Sequence, residues 1–309
     1  MPDIKPVVEQ QDVLALLQQH FADLVTQLLP LEGGEIARTF SFTVEQQEYV
    51  IRFNQHMGAN FEKEDWLYPR LASAGIPIPP LVQVGRFHGL HFAISHKIAG
   101  KRMNILSRDE FRAIVPQLIS MLGTIHRVDI SDTQGYGVID ADGVGLSASW
   151  RQRFVNMKEE EPEWDFYGKW HGMFEQTFLE RDFFFDIYER MMSLLDYVPE
   201  ERYLVHGNYS FSNLLVHEGR ITAVLDWIDS SYGDFVCDIA SLSFWLPEAR
   251  FPELFRQHYA AQGVSVPAYD ERLLCYQYAI GLDALRFYAK ANRPDAYQFS
   301  RRRILDLQQ

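Results

Sequence analysis

The sequence predicts an α+β fold of two lobes, a small mixed lobe of residues 1–98 and a larger, mainly helical lobe of residues 99–309. Two patterns support this division. Before Ala99, alternating apolar and polar residues predict two β-hairpins, whereas after Gly100 most apolar residues recur at helical spacing. A chain of 309 residues that is 47% hydrophobic is also long enough to bury a large core and to form two lobes.

The small lobe is predicted to alternate helices and hairpins. Apolar periodicity predicts a first helix over residues 12–29, with Asp12 as its cap. A second helix is predicted from residue 59 to 74, because Gly75 and the prolines that follow cannot continue it. The predicted hairpin strands are residues 38–44 with 48–54, and residues 81–87 with 91–98.

The larger lobe begins with a long helix. Ser107 and Glu110 have the spacing of a capping box ahead of residues 111–128, and Pro116 predicts a kink or a late start. Short strands are predicted within residues 204–225. The other predicted helices cover residues 147–155, 174–195, 238–246, 252–262 and 271–291.

Charge and composition exclude several classes of protein. The net charge of −13 argues against a nucleic-acid or anionic-membrane partner, because both need clustered cations. No apolar run reaches about 18 residues, the amino terminus lacks the apolar core of a secretory signal, and Cys237 and Cys275 form no disulfide framework. We therefore expect a cytoplasmic protein that is a monomer or a weak dimer.

The acidity is concentrated in one stretch. Residues 155–201 contain 13 acidic and 4 basic residues, which is nine of the thirteen net negative charges. Such a run usually forms a solvated face. The alternative is a surface that attracts a cationic ligand.

The stretch that indicates chemistry is a predicted hairpin within residues 204–226, for which the family resemblance given below implies a catalytic role. Two short apolar strands flank Glu218-Gly219, a two-residue turn that would place His217 opposite Arg220 and Asn213 opposite Val224. Asn213 and Asp226 would then meet at the open end of the hairpin, beneath the loop of residues 206–212. An amide oxygen and a carboxylate there can share Mg²⁺, which prefers oxygen ligands.

This hairpin resembles that of the aminoglycoside phosphotransferase family, whose fold is protein-kinase-like. The family pattern of His-Gly-Asp, four residues, Asn and a later Asp is matched by His206-Gly207-Asn208, Asn213 and Asp226. Gly233-Asp234 and Asp238-Ile239-Ala240 also resemble the segment that follows in the family. Further similar segments are EGGEIARTFSF, YVIRFN, LASAGIPIP and GRITAVLDW, so the resemblance covers nearly the whole chain and is nearest to the enzymes that phosphorylate hygromycin B.

The resemblance implies a role for each matching residue. Asn213 and Asp226 would hold Mg²⁺ against the phosphates of ATP or GTP. Arg52, where most relatives have Lys, would contact phosphate and pair with Glu64, for which Glu62 is the competing assignment. The remaining nucleotide contacts would be the loop at Gly33 and Gly34 and a hinge for adenine at Ser95, His96, Lys97 and Ile98. His126 and His206 would be structural, and Asp234 and Asp238 would orient the loop or bind substrate, with the first role favoured.

One residue departs from the family pattern. Asn208 stands where the family has its catalytic Asp, and an amide cannot take up the proton of an attacking hydroxyl as a carboxylate can. Three explanations compete: a substitution made deliberately to trap a complex, a natural member with another base, and a nucleotide-binding pseudoenzyme. We favour the first, since the rest of the pattern is intact. Asp229 is the nearest spare carboxylate in the sequence.

These observations favour an ATP- and Mg²⁺-dependent phosphotransferase that acts on a hydroxyl of an aminoglycoside such as hygromycin B. The alternatives are a kinase for a small metabolite alcohol and a non-catalytic nucleotide-binding protein. Acceptor contacts are expected from the helical insert of residues 150–201, which contains the acidic stretch, and from residues 245–250. The candidate acceptor residues are Glu159, Glu160, Glu161, Asp165, Asp229 and Trp245.

Overall fold

The computed structural model describes residues 5–34, 36–55, 61–162 and 166–308. The helices of this part of the chain are α1 (Gln10–Phe21), α2 (Glu62–Ser73), α3 (Arg108–Ile125), α4 (Trp150–Val155), α5 (Met173–Gln176), α6 (Arg181–Ser193), α7 (Val236–Trp245), α8 (Phe251–Ala261), α9 (Tyr269–Lys290) and α10 (Pro294–Asp306). The strands are β1 (Val25–Leu31), β2 (Arg38–Val44), β3 (Gln47–Asn54), β4 (Leu81–Phe87), β5 (Leu90–His96), β6 (Lys101–Arg102), β7 (Tyr136–Ile139), β8 (Gly145–Ser147), β9 (Tyr203–Val205), β10 (Leu214–His217), β11 (Arg220–Val224) and β12 (Ser231–Gly233).

Both hairpins predicted before Ala99 are present in a five-stranded sheet with the order β1-β2-β3-β5-β4. The sheet is antiparallel throughout, and β3 occupies its centre between β2 and β5. The predicted helix over residues 12–29 is wrong in its second half. The helix ends at Phe21, Ala22 takes a positive φ of 52°, and residues 25–31 pair with β2 as an edge strand. Backbone pairing with an existing sheet has overridden the helical tendency of a leucine-rich segment.

The buried apolar residues form two clusters. The smaller one lies between α1 and the five-stranded sheet and contains Leu16, Phe42 and Ile51. The larger one fills the rest of the protein, yet α2 contributes Leu67 and Leu71 to it. Although α2 precedes the predicted lobe boundary in sequence, its buried face therefore packs with the helical part.

Two small sheets position the loops of the larger part. The hairpin β10–β11 is extended by β6 to give the order β11-β10-β6, so the segment just after residue 98 lies beside the predicted catalytic hairpin. A second sheet has the order β8-β7-β12-β9 and places β9 and β12, which precede and follow that hairpin, side by side. Strands β7, β8 and β12 are too short for alternation to reveal them.

The helical predictions are confirmed in outline and corrected in detail. The capping box at Ser107 and Glu110 is present, and α3 runs from Arg108 through Pro116, so the predicted late start is wrong. The predicted helix 174–195 is two helices, α5 and α6, since Thr177 is extended and its hydroxyl bonds back to Met173 O. Helix α10 was not predicted. Within the described residues, none of the helices is long and apolar enough to cross a membrane.

Candidate functional site

The site is built on the β10–β11 hairpin, whose turn Glu218-Gly219 has positive φ at both positions. His217 faces Arg220 as predicted, but Leu214 rather than Asn213 faces Val224. An irregularity between Leu215 and Val216 shifts the register by one residue. Asn213 lies one step further along, where its carbonyl accepts a hydrogen bond of 2.8 Å from Leu225 N, next to Asp226.

One buried carboxylate holds the loop that leads into this hairpin. Asp238, in the first turn of α7, accepts hydrogen bonds from the backbone N–H groups of His206 and Gly207, both at 2.9 Å. His126 Nε2 lies 3.0 Å from the same carboxylate. The predicted role of Asp238 in orienting the loop therefore matches its contacts, and Asp238 is fully buried.

His206 is a structural histidine in the neutral form. Its Nε2 donates to Leu225 O at 3.1 Å, and its Nδ1 accepts from Asn208 N at 3.2 Å, so the two ring nitrogens have opposite roles. Burial lowers the pKa of His206 to about 4, although Asp238 acts in the opposite direction. The imidazole thus joins the loop to the end of β11 without carrying charge.

The loop brings Asn208, Asn213 and Asp226 together. Asn213 Nδ2 donates to the backbone oxygen of Asn208 at 3.0 Å, and Asn208 Nδ2 lies 3.4 Å from Asp226 Oδ2. Asp226 has a positive φ of 65°, an uncommon conformation for a residue other than glycine. Desolvation raises the pKa of Asp226 to about 7, and the charges of Asp229 and Glu64 add to this effect. The three side chains thus form a compact group of oxygen and amide functions.

The predicted pair of Arg52 and Glu64 is present. Arg52 Nη1 and Nη2 donate to the two oxygens of Glu64 at 3.0 and 2.5 Å, so the assignment to Glu64 is correct and that to Glu62 is wrong. The guanidinium also lies 4.7 Å from the ring centre of Phe61. Because Arg52 lowers the pKa of Asp226, its charge acts on the same site.

The predicted hinge is partly occupied by bonds within the small lobe. The N–H groups of His96 and Lys97 donate to Pro80 O and Glu48 O at 2.9 and 3.0 Å, and the Lys97 ammonium pairs with the Glu48 carboxylate. Ser95 is buried and lies opposite Val50 within the sheet. Among the described residues, the backbone N–H of Ile98 has no such backbone partner, which makes it the available donor of this segment.

Gly33 and Gly34, between β1 and β2, both have positive φ, at 108° and 69°. A Cβ atom on Gly33 would lie 3.4 Å from Arg102 Nη2, so the guanidinium of Arg102 covers this glycine. The predicted glycine loop is therefore in contact with the segment that follows the hinge.

Asp229 reaches the loop that carries Asn208. A Cβ atom on Gly207 would lie 2.2 Å from Asp229 O, and the φ of Gly207 is 81°, so only glycine fits there. Desolvation by the surrounding protein raises the pKa of Asp229 even though its side chain keeps an exposed surface, and Lys63 opposes the shift. Lys63 is buried and donates to the backbone oxygen of Ile228, so α2 is tied to the segment after Asp226.

The other predicted acceptor residues lie in varied surroundings. Glu160 pairs with Lys169 at 3.4 Å, and Glu159 has an exposed side chain while its carbonyl accepts from Trp170 Nε1. Trp245 is half-buried and stacks on Phe299 of α10, with ring centres 6.3 Å apart. Asp165 lies outside the described residues. The acceptor roles of this group stay predictions.

Asp234 is buried in a network away from the hairpin end. It accepts hydrogen bonds from Arg272 Nε at 2.8 Å and from Tyr276 OH at 2.6 Å, and Arg272 Nη2 also donates to it. These bonds attach the segment before α7 to α9. None of these bonds involves residues 206–212, so the predicted role of Asp234 in orienting that loop stays a prediction.

Sequence reasoning missed three charged residues around the site. Arg102 and Lys63 contact partners more than a hundred positions away, Ser212 O and Ile228 O, so no local pattern marks them. Asp283 accepts a hydrogen bond from Tyr167 OH at 3.0 Å, and its charge raises the pKa of Asp229 in addition to desolvation. Asp283 is one of several charged residues in α9, so the sequence does not distinguish it.

A small antiparallel sheet above a helical part, with a polar hairpin end facing an Arg-Glu pair, is the architecture of a kinase-like phosphotransferase. The chain belongs to the APH phosphotransferase enzyme family, whose model matches residues 27–275. The fold class and the phosphotransferase class predicted from the sequence are both confirmed.

Individual relatives agree with this assignment. The chain is 30% identical to the hygromycin-B 4-O-kinase of Escherichia coli over 285 residues, which cover 91% of this chain and 80% of the relative. The crystal structure of aminoglycoside phosphotransferase APH(4)-Ia superposes with a TM-score of 0.81 at 27% identity, covering 97% of this chain and 98% of the other. A thermostable mutant of that enzyme, in ternary complex with AMP-PNP and hygromycin B, superposes with a TM-score of 0.80 at 27% identity, covering 95% and 96%.

Proposed function

We propose that this protein transfers the terminal phosphoryl group of ATP, with Mg²⁺, to a hydroxyl of an aminoglycoside such as hygromycin B. The observation that carries the proposal is the meeting of Asn208, Asn213 and Asp226 at one hairpin end, facing the Arg52–Glu64 pair. The 30% identity to hygromycin-B 4-O-kinase supports the acceptor class and makes the 4-hydroxyl of hygromycin B the first to test.

The donor set fits Mg²⁺. Asn213 uses its amide nitrogen to bond Asn208 O, which leaves its amide oxygen for a cation, and Asp226 supplies a carboxylate. Among the described residues, no group of three or more His, Cys, Asp or Glu side chains has the arrangement of a metal site. Two protein ligands suit Mg²⁺, because this ion usually takes its other ligands from water and phosphate. When bound, Mg²⁺ would neutralise charge on the phosphates.

The side chains of the site would act mainly by positioning. Arg52, held by both oxygens of Glu64, is fixed in a geometry from which its guanidinium can contact a phosphate. The amide oxygen of Asn208 can accept a hydrogen bond from the acceptor hydroxyl and orient it. Because an amide does not take up the proton, Asn208 would supply orientation without general-base assistance.

The acceptor is expected on the acidic side of the cleft. Asp229 lies against Gly207 in the Asn208 loop, the charge of Asp283 adds to the rise in the pKa of Asp229, and the stretch with Glu159 and Glu160 adds further negative charge. Ammonium groups of an aminoglycoside would be attracted by such a field.

Asn208 favours a second candidate, a nucleotide-binding protein with little or no turnover. In that case the site would bind ATP and Mg²⁺ as described, but the proton of a hydroxyl would have no acceptor.

We also propose that the chain divides into two lobes, residues 1–98 and 99–309, with α2 packing on the second lobe.

Two measurements on the unaltered chain test the proposal. A coupled assay of ADP release should show slow, Mg²⁺-dependent turnover with hygromycin B, and a parallel reaction with GTP tests the nucleotide. Thermal-shift measurements should show stabilisation by ATP with Mg²⁺ and further stabilisation by hygromycin B. Stabilisation by nucleotide alone, with no turnover, would support the pseudoenzyme. No response to either nucleotide would overturn both candidates.

A further inference from the structure

The strongest unexplained feature beside the site is Arg102, the second residue of β6. Its backbone pairs with Leu215 of β10, two residues from Asn213, so its position is fixed relative to the hairpin. Its side chain extends toward Ser212 and Gly33. Nη1 donates to Ser212 O at 3.1 Å, and Nη2 would lie 3.4 Å from a Cβ atom on Gly33. The guanidinium therefore lies between the glycine loop of the small lobe and the loop that carries Asn208.

Arg102 differs from the other cations near the cleft in its partners. Arg52 is bound by Glu64 and Lys97 by Glu48. Within the part of the chain that the structure describes, Arg102 forms no ion pair with a carboxylate, and its hydrogen bond to Ser212 O uses a single N–H on a neutral carbonyl. A half-buried guanidinium whose other N–H groups lack such partners is suited to bind an anion.

Arg102 lies beside the predicted metal end of the site, because its Nη1 bonds the backbone oxygen of Ser212, the residue before Asn213. Arg52, paired with Glu64, supplies a second cation from the small lobe. The protein as a whole has a net charge of −13, so these local cations are needed if a polyanion is to enter.

We propose that Arg102 is a second phosphate-binding residue, which contacts the phosphate chain of a nucleoside di- or triphosphate lying under the Gly33 loop. This inference rests on the proposed function, since it assigns a further contact in the same site. The alternative is that Arg102 only braces the glycine loop against Ser212. That role would not depend on how many phosphates a ligand carries.

The test measures binding of ATP, ADP and adenosine, each with Mg²⁺, by titration calorimetry. The variants are Arg102→Gln and Arg102→Lys, and the matched control is Lys101→Gln, which removes an exposed cation from the preceding position. Arg102→Gln should weaken ATP binding by about 10- to 100-fold, the range expected for a charge-assisted contact, and leave adenosine binding unchanged. Arg102→Lys should restore part of the ATP affinity, and the control should match the unaltered protein.

Three outcomes would overturn the inference. Equal losses for ATP and adenosine in Arg102→Gln would show that Arg102 supports the shape of the cleft, and an unchanged ATP affinity would show no contact. If the unaltered protein itself fails to bind ATP with Mg²⁺, the proposed function fails as well. Thermal unfolding of each variant identifies a loss of ATP affinity that comes from misfolding. Arg102→Lys keeps the charge, so its ATP affinity then decides between phosphate contact and bracing of the glycine loop.

Discussion

The substitution Asn208→Asp tests the chemistry of the site most directly. The new carboxylate would take the place of an amide that lies 3.4 Å from Asp226 Oδ2. General-base assistance typically contributes about 10²- to 10⁴-fold, so we expect kcat for ATP and hygromycin B to rise by at least about tenfold. The rate is measured by coupled ADP release under saturating substrates.

The same distance predicts that Asn208→Asp lowers the stability of the protein. Two carboxylates about 3.4 Å apart repel by about 5 kcal/mol at an effective dielectric constant near 20, an upper limit because one of them can take up a proton. A divalent cation bound by Asn213 and Asp226 would offset part of this repulsion, because it would neutralise the Asp226 carboxylate. Mg²⁺ should therefore raise the thermal midpoint of Asn208→Asp by more than that of the unaltered protein.

Asn208→Ala is the control, because it removes the amide without adding a base and should show no gain in rate. Equal turnover of the Asn and Asp forms would refute the general-base interpretation of this position. An equal effect of Mg²⁺ on the two thermal midpoints would refute the proposed placement of the metal on Asn213 and Asp226.

Three further predictions concern stability, each measured by denaturant unfolding. Asp234→Asn leaves the buried guanidinium of Arg272 without its counter-charge and should cost about 3–5 kcal/mol. Gly207→Ala should destabilise the protein by more than about 1–2 kcal/mol, because backbone strain at a φ of 81° adds to the clash of its Cβ with Asp229 O, and should also lower turnover. For His206, whose folded pKa of about 4 lies below the unfolded value of 6.5, the stabilising contribution is complete above pH 6.5 and is lost as pH falls toward 4, a change of up to about 3 kcal/mol.

The glycine and histidine predictions each have a control in the chain. Gly263 has a similar φ of 73°, and a Cβ atom there would meet no other atom within 4 Å, so Gly263→Ala should show the effect of backbone strain alone. An equal loss of stability at both glycines would contradict the clash at Gly207. His206→Gln should remove most of the His206 contribution to the pH slope, and an unchanged slope would contradict it. A loss below about 1 kcal/mol in Asp234→Asn would show that the ion pair is not needed for stability.

The sequence predicted the β-hairpins and the meeting of Asn213 with Asp226 at the open end of β10–β11, and both have physical reasons. Residues 38–54 alternate in a sheet with one buried face, and Glu218-Gly219 suits a tight turn, so local chemistry determined the structure there. The one-residue error at Asn213 arose because an irregularity inside β10–β11 has no sequence signature. Residues Asn213 and Asp226 still meet, since the loop over them closes the same end.

What the sequence could not predict depends on distant partners. Strand β1 forms because it pairs with β2. Helix α10 packs on α9, but its polar, arginine-rich sequence does not predict a buried face. Arg102 illustrates the same limit at the site. Its neighbours in sequence give no indication that Gly33 and Ser212 lie on either side of its side chain.

The packing of α2 has a mechanical consequence. Its leucines belong to the larger cluster and Lys63 holds Ile228 O, so α2 is fixed to the helical part from two directions. Helix α2 also lies against β4, and its Glu64 holds Arg52 of β3 through two hydrogen bonds. This one helix therefore connects the five-stranded sheet to the helical part and fixes the position of the Arg52 guanidinium.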